Sequence, residues 1–503
     1  MDLNLDMWAQ GFAAILQPQN GLFLLLGTCV GMVVGVLPAI GPNFGVALML
    51  PLTFGMPPET AIIFLASVHA ATAYGDSIAS ILINVPGGGG SVAACWDGHP
   101  MARQGKGGMA LAISAFGSWA GGIGGWVAMV ILSPVLIAFA ARIGPPEVFM
   151  IALLALSLLA VAAKGQNSKG LIMACFGLLV SFVGQDEITG AIRFTFGSEF
   201  LENGIDLIPV VVGVFAISQL LIMAEEGGSI AQIHSAVGGT LQALKEIVKR
   251  WRTVIRAELI GVWIGVLPAL GIGSASVMSY LTEKAADPDP DSFGKGNPSG
   301  LLAPEIAKGA CVVGDLIPTF TLGIPGSPTT AILMAALIVH GLLPGPEFFS
   351  GTLPYIVYAG ILLAQFSFFI IGIFTARYWA RLIMFPNAIL LPIIAVMALI
   401  GSYADSNKIE SMFVLLFFGV VGYIMERNEY PAAALVLGVV LGNLAESNFN
   451  RSMVLFDGSL AWVWQRPIAL VLLLCTILSL AMPYFGDLKA LLFRLARRQP
   501  GGA

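Results

Sequence analysis

Charge is what this chain has least of. Only 11% of its 503 residues are Asp, Glu, Lys or Arg, against roughly 25% in an average globular domain. A soluble chain of this length needs a wetted polar surface, and 24 basic and 29 acidic residues cannot supply it. An ordinary water-soluble protein is therefore excluded. Cysteine and histidine are scarce too. Cys29, Cys95, Cys175, Cys311 and Cys475 are scattered without a CxxC spacing, and the four histidines are isolated. That pattern gives neither a disulfide framework nor a metal site. No HExxH motif and no nucleophile with a nearby base is present, so an intramembrane enzyme has no sequence support. The net charge of −5, with only a short basic patch, excludes nucleic-acid binding. Basic residues are absent before Arg103, and MDLNLDMW has no positive n-region. No cleavable signal peptide is expected, so the first apolar span acts as its own targeting signal.

Apolar length is what the chain has in excess. Hydrophobic residues make up 57% and the mean hydropathy is +0.88. Long apolar segments lie near 22–40, 110–141, 147–163, 205–224, 354–376, 388–400, 410–425 and 466–484. About 20 apolar residues cross a bilayer as a helix, so an all-α polytopic membrane protein with about 10–12 transmembrane helices is expected. Pro and Glu together at 57–59, 145–147 and 345–347 mark helix starts, where proline loses no needed hydrogen bond and glutamate complements the dipole. Positive charge gathers at Arg103 and Lys106, from Lys245 to Arg256, and at Lys489, Arg494, Arg497 and Arg498. The positive-inside rule places these segments in the cytoplasm and the N-terminus outside. Residues 229–256 read either as an amphipathic helix at the cytoplasmic interface or as a solvated basic linker.

Two halves share one pattern. GVLPAIG (35–41) recurs as GVLPALG (265–271), an offset of 230. GDSIASILINVPG (75–87) recurs as GDLIPTFTLGIPG (314–326), an offset of 239. The expected organisation is a first membrane repeat over 1–228 with a tip at 85–91, the linker 229–256, and a second repeat over 257–503 with a tip at 324–330. Paired Gly/Pro-interrupted segments in two halves are the sequence pointer to a transporter binding site. A helix break in lipid exposes backbone groups at several kcal/mol each, so it must face protein or a water-filled cavity.

Each break supplies glycines that a ligand can approach closely and a restarting helix whose N–H groups favour an anion. Gly87, Gly88, Gly89, Gly90 and Ser91 in the first tip, with Gly326, Ser327, Thr329 and Thr330 in the second, are the expected substrate contacts. A phosphate loop is excluded because no Lys follows the glycines. Asn43, Ser274 and Ser276 follow the GVLPAxG motifs; they serve either as oxygens for a cation or simply as small residues in close helix packing. Asp76 and Asp315 occupy matched places before the two tips. A carboxylate at membrane depth is a functional-site hypothesis by default, with ion coupling as the sharp reading and pairing to a base as the plain one. Lys308 lies two turns before Asp315 and one turn after Glu305, so it pairs with either. His69 is read as a packed or cavity-edge side chain.

These residues carry a resemblance. GVLPAIGPNFGVALMLPLTFGMPPETA (35–61), YGDSIASILINVPG (74–87), DGHPMARQGKGGMAL (97–111), FGKGNPSGLLAPE (293–305), LIPTFTLGIPGSPTTAIL (316–333), HGLLPGP (340–346) and GYIMERNEYPAAALVLGVVLGNLAES (422–447) together resemble the large, TctA-type membrane subunit of the tripartite tricarboxylate transporters, nearly end to end. The resemblance implies inverted repeats, re-entrant hairpins and elevator-like motion. It implies a bacterial inner-membrane importer of small organic anions, fed by a periplasmic solute-binding protein and accompanied by a small four-span membrane subunit. It implies a sodium or proton gradient as the driving force, with no cofactor. A homodimer is among the assemblies left open. The rival reading from another class is a channel or exporter for anions that works without partners. The chain departs from the family's usual pattern at Ala39 and Ala269, where glycine is usual, and at Asp76, Asp315 and Lys308. These departures imply internal charge compensation or an altered substrate or ion.

Overall fold

The structure is a computed structural model that describes residues 5–37, 41–140, 143–162, 167–186, 188, 190–226, 239–268, 270–382 and 387–496. Ala39 and Ala269 of the repeated motifs, residues 229–238 of the expected linker, and Arg497 and Arg498 lie outside the described residues. The first helices are α1 (Leu5–Ile15), α2 (Pro18–Val36), α3 (Pro42–Met49), α4 (Pro58–Ile83), α5 (Val92–Met101) and α6 (Gly107–Ala140). Next come α7 (Pro145–Ala162), α8 (Asn167–Ser181), the strands β1 (Gly184–Gln185) and β2 (Ile192–Arg193), α9 (Glu199–Glu202), α10 (Leu207–Val212) and α11 (Ser218–Glu226). The second part holds α12 (Thr240–Lys249), α13 (Trp251–Val266), α14 (Gly271–Ala286), α15 (Pro298–Gly314), α16 (Leu316–Leu322), α17 (Pro328–Val339) and α18 (Leu353–Leu382). It closes with α19 (Asn387–Ser406), α20 (Ile409–Arg427), α21 (Ala432–Leu455), α22 (Trp462–Gln465) and α23 (Pro467–Ala496).

Among the described residues the protein is all-α apart from one short antiparallel pairing, Gly184 with Arg193 and Gln185 with Ile192. Among the described residues, seven helical stretches are long and apolar enough to cross a membrane: Pro18–Val36, Pro58–Ile83, Gly89–Ala138, Leu207–Glu225, Leu353–Thr375, Ile409–Arg427 and Ala432–Leu455. Five more apolar helices are shorter, among them Pro328–Val339 and Pro467–Ala481. The protein is therefore polytopic. α4 is buried along its whole length from Thr60 to Leu82, its polar side chains included. Pro58 and Glu59 start it, and Asn84 ends it in the left-handed conformation.

Packing divides the chain into two compact units, Met1–Ala141 with Asp206–Glu426, and Arg142–Ile205 with Arg427–Ala503. Each unit thus draws on chain from both sides of the 229–256 segment. In the second unit α7 packs on α8, α21 and α23. Arg193 Nη1 bonds Glu446 Oε1 at 2.5 Å, and the buried Glu147 carboxylate lies 3.7 Å from Arg466 Nη1.

The first unit holds both repeated motifs, and their packing repeats as well. α2 packs on α4 as α13 packs on α15. A Cβ on Gly31 would come within 2.9 Å of the Ala71 Cβ, and one on Gly261 within 2.7 Å of the Ala310 Cβ. One turn on, a Cβ on Gly35 would be 3.0 Å from the Gly75 Cα, and one on Gly265 2.9 Å from the Gly314 Cα. Only glycine permits backbones this close. Other contacts cross between halves: α6 packs on α15 and α18 on α4, while α12 packs on α6 and α1 on α18.

Candidate functional site

Both motif helices end alike. Leu37 (φ −71°, ψ 128°) and Leu267 (φ −81°, ψ 123°) leave the helix extended, their N–H groups bonded to Val34 and Ile264 carbonyls. The two tips match in the same way. Asn84 (φ 61°, ψ 29°) and Gly323 (φ 67°, ψ 29°) end the incoming helices in the left-handed region. Gly88 (φ −150°, ψ 178°) and Ser327 (φ −149°, ψ 168°) start the outgoing ones. Ser80 Oγ donates to the Asp76 carbonyl as Thr319 Oγ1 donates to that of Asp315. Ser91 Oγ donates to the Gly88 carbonyl at 3.1 Å, as Thr330 Oγ1 donates to that of Ser327 at 2.9 Å.

The tips meet the N-termini of α3 and α14. A Cβ on Gly41 would lie 3.2 Å from the Gly88 Cα, while Asn43 Oδ1 accepts from Thr329 Oγ1 at 2.5 Å. A Cβ on Gly271 would lie 3.8 Å from the Ser327 Cβ, while one on Gly273 would lie 3.2 Å from the Gly89 carbonyl carbon. The start of α3 therefore touches both tips, and the start of α14 lies against the first tip and near the second. Four broken backbone segments gather at one place, as a polar-solute site inside apolar protein demands.

The tips differ in what their amides do. In the second, Ser327 N–H donates to Thr330 Oγ1 at 2.8 Å and Thr330 N–H to Ser327 Oγ at 3.2 Å, a reciprocal capping box. Gly326 N–H donates to Thr319 Oγ1 at 3.3 Å. In the first tip, the amides of Gly87, Gly88, Gly89 and Gly90 donate to no group among the described residues. Asn84, Val85 and Gly89 there are exposed, whereas Gly323 to Ser327 are buried. Behind the first tip, α5 is held to the second half through Asp97. Its carboxylate accepts from the amides of Gly294, Gly296 and Asn297 and from the Tyr280 hydroxyl, at 2.7–3.1 Å.

Two buried acid–base sets flank the tips. Lys308 Nζ lies 2.9 Å from Glu305 Oε2 and 3.6 Å from Asp76 Oδ1, and it donates to Ser77 Oγ. Ser77, Ser114 and Ser118 hydroxyls donate to the Glu305 carboxylate at 2.6, 2.7 and 2.9 Å. The second set is His69 with Asp315, Nε2 to Oδ1 at 3.8 Å. All these carboxylates and bases are at most 1% exposed. His69 and Lys308 stand at equivalent places under the 239 offset, as do Asp76 and Asp315. Each base thus faces the aspartate of the other half.

Of the residues singled out in the sequence, the structure brings the two tips, Asn43, Asp76, Asp315 and Lys308 together. Lys308 pairs with Glu305 and Asp76 rather than with Asp315. Ser276 is buried with an unpartnered hydroxyl, and Ser274 is half-buried. Sequence reasoning missed the ion partnership of His69 and the roles of Ser77, Ser114 and Ser118. The offset of 239 already aligned His69 with Lys308. Among the described residues no group of three or more His, Cys, Asp or Glu side chains could hold a metal ion. An open cleft of about 540 Å³ lies elsewhere, lined by loop residues that include Arg250, Asp289, Asp291 and Lys295. It touches none of the tip residues.

Comparison with known proteins matches residues 22–437 to the model of the tripartite tricarboxylate transporter TctA family. An uncharacterized 52.8 kDa protein of the TAR-I ttuC' 3' region of Agrobacterium vitis is 34% identical over 480 residues, covering 92% of this chain and 93% of the relative. An uncharacterized protein of the TAR-II ttuC' 3' region of the same organism is 33% identical over 231 residues, covering 44% of this chain and 93% of that relative. The chain belongs to the TctA family. Membership implies secondary transport of small organic anions by a multi-pass membrane protein rather than catalysis.

Proposed function

We propose that this TctA-family chain is the transport-active large subunit of a three-part importer. In this reading a periplasmic solute-binding protein delivers a di- or tricarboxylate. A small four-span membrane subunit accompanies the chain, and a sodium or proton gradient drives uptake through an elevator-like motion. The two repeats run over 1–228 and 257–503 and are inverted in the membrane, with 229–256 on the cytoplasmic side and the N-terminus outside. The tips enter as two re-entrant hairpins in addition to about 10–12 transmembrane helices.

The observation that carries this reading is the gathering of both tips on the starts of α3 and α14. The four free glycine amides of Gly87 to Gly90 form the anion cradle, since backbone N–H groups at a helix start favour negative charge. Gly326, Ser327, Thr329 and Thr330 close the opposite side, Ser91 and Ser274 add hydroxyls, and Asn43 orients Thr329. Asp76, Lys308, Ser276 and Asp315 form the polar surround that senses the coupling ion. The second half's crossed packing on the first supports two repeats that work as a pair.

The test is uptake of radiolabelled citrate, and of a panel of smaller dicarboxylates, into vesicles holding the chain with its two partner components. Sodium and pH gradients are imposed one at a time. Accumulation that needs both a gradient and the binding protein is the expected result. Flux that persists without either would instead make the chain a partner-independent channel or exporter.

A further inference from the structure

We propose that the buried pair His69–Asp315 is the proton-binding site of this transporter, and that Asp76–Lys308–Glu305 is its ion-paired counterpart. The proposal rests on the transport reading above and names its coupling ion.

The two sets occupy equivalent positions, yet they are wired differently. Glu305 accepts three serine hydroxyls and the Lys308 ammonium. Lys308 Nζ there is enclosed by three oxygen-bearing neighbours, Glu305, Asp76 and Ser77. In the other set, neither Asp315 oxygen and neither His69 ring nitrogen has a hydrogen-bond partner among the described residues, and both side chains are at most 1% exposed. A buried polar group without partners is costly; a proton placed between the imidazole Nε2 and the carboxylate Oδ1, 3.8 Å apart, would partner two of these four atoms. Histidine is also the side chain that gains and loses charge near neutral pH.

Location ties this proton to the substrate tip. Asp315 sits at the break between α15 and α16, because Pro318 has no N–H to give to the Gly314 carbonyl. A Cβ on Gly326 would lie 2.7 Å from the Asp315 Cβ and from its carbonyl oxygen, so the second tip rests directly on the backbone of this residue.

Few other ionisable groups face the pair. α3, α6, α16 and α17 carry none, and α2 only the exposed Cys29. α4 adds Tyr74 and Asp76, and α15 adds the buried Cys311 besides Glu305 and Lys308. Glu258 of α13 is turned to Gly124 of α6. α18 brings only tyrosines among its described side chains, Glu347 near α16 is exposed, and the acids of α5 and α14 are bonded elsewhere.

The step balances simply. The Asp315 carboxylate takes one proton from the water on one side of the membrane to become a carboxylic acid shared with His69. It returns that proton to the other side, and no electrons move.

The test is pH-difference infrared spectroscopy of the purified full chain in lipid, followed by the uptake assay. A titrating carboxyl band is expected that is lost in Asp315→Asn and kept in Glu258→Gln. Its midpoint should move by about one pH unit or more, a tenfold change in proton affinity, in His69→Gln. Citrate accumulation should follow the pH gradient with sodium absent. A band kept in Asp315→Asn but lost in Asp76→Asn, or uptake driven by sodium alone, would overturn the proposal. Absence of any uptake by the wild-type chain, with the band behaving as expected, would sink the transport reading and leave the proton site standing.

Discussion

Asp76 and Asp315 are the same position in two copies of one pattern, and their surroundings have gone separate ways. Asp76 sits inside an unbroken helix, where the position equivalent to Pro318 is Ala79. Its partner base is a lysine, and that lysine is held by Glu305, a residue with only Ala66 as its counterpart. Asp315 sits at a helix break beside a histidine that nothing else holds. The tips repeat the contrast: the first offers free amides, while the second spends its own on a capping box. The two frames match in backbone, and single substitutions within them give the two aspartates different partners.

The comparison breaks most sharply at the bases. Lys308→Met strands Glu305 and Asp76 as buried uncompensated carboxylates, at an expected cost of about 3–5 kcal/mol. It should show as a large loss of thermal stability in detergent. His69→Gln removes no hydrogen bond and should cost under about 1 kcal/mol in the same measurement. Equal losses would mean that the two sets are equally structural. The double change Glu305→Leu with Lys308→Met should recover much of the single loss, since a buried ion pair is replaceable by apolar packing.

A smaller effect tests whether the frames are equal. Gly31→Ala and Gly261→Ala each force apart a helix pair in contact through backbone, and each should cost about 1–3 kcal/mol. Similar values would support matched frames, and a value near zero at either site would deny them. The smallest effect is at the caps. Ser327→Ala should cost about 1 kcal/mol, whereas Ser91→Ala, whose hydroxyl caps no amide, should cost less. Paired denaturation curves of the two variants measure the difference.

Much of this was legible in the chain. The two offsets located both tips and both aspartates, and the matched dihedrals at Asn84 and Gly323 follow from the matched letters around them. The choice of partner was not legible. An offset says that His69 and Lys308 are equivalent, but it does not say that each crosses to the other half, because that depends on how α4 and α15 pack. His69 looked like a core residue because an apolar run carries no mark of what lies opposite it. Glu305 was visible as a neighbour of Lys308, but the serines that hold it come from α4 and α6, up to 228 residues away. The capping box was hidden for a related reason: a threonine does at Thr330 what Glu or Gln usually does.

The crossed pairing also sets a schedule for synthesis. Ser77 and Lys308 are 231 residues apart, and at about 5–20 residues per second the ribosome needs roughly 10–50 s to cover that distance. Throughout that interval Asp76 is already made and its counter-charge does not exist. The early segments must wait at the translocon with this acid protonated or wetted, so a chain cut short before α15 has no finished state to reach and becomes a substrate for membrane proteases.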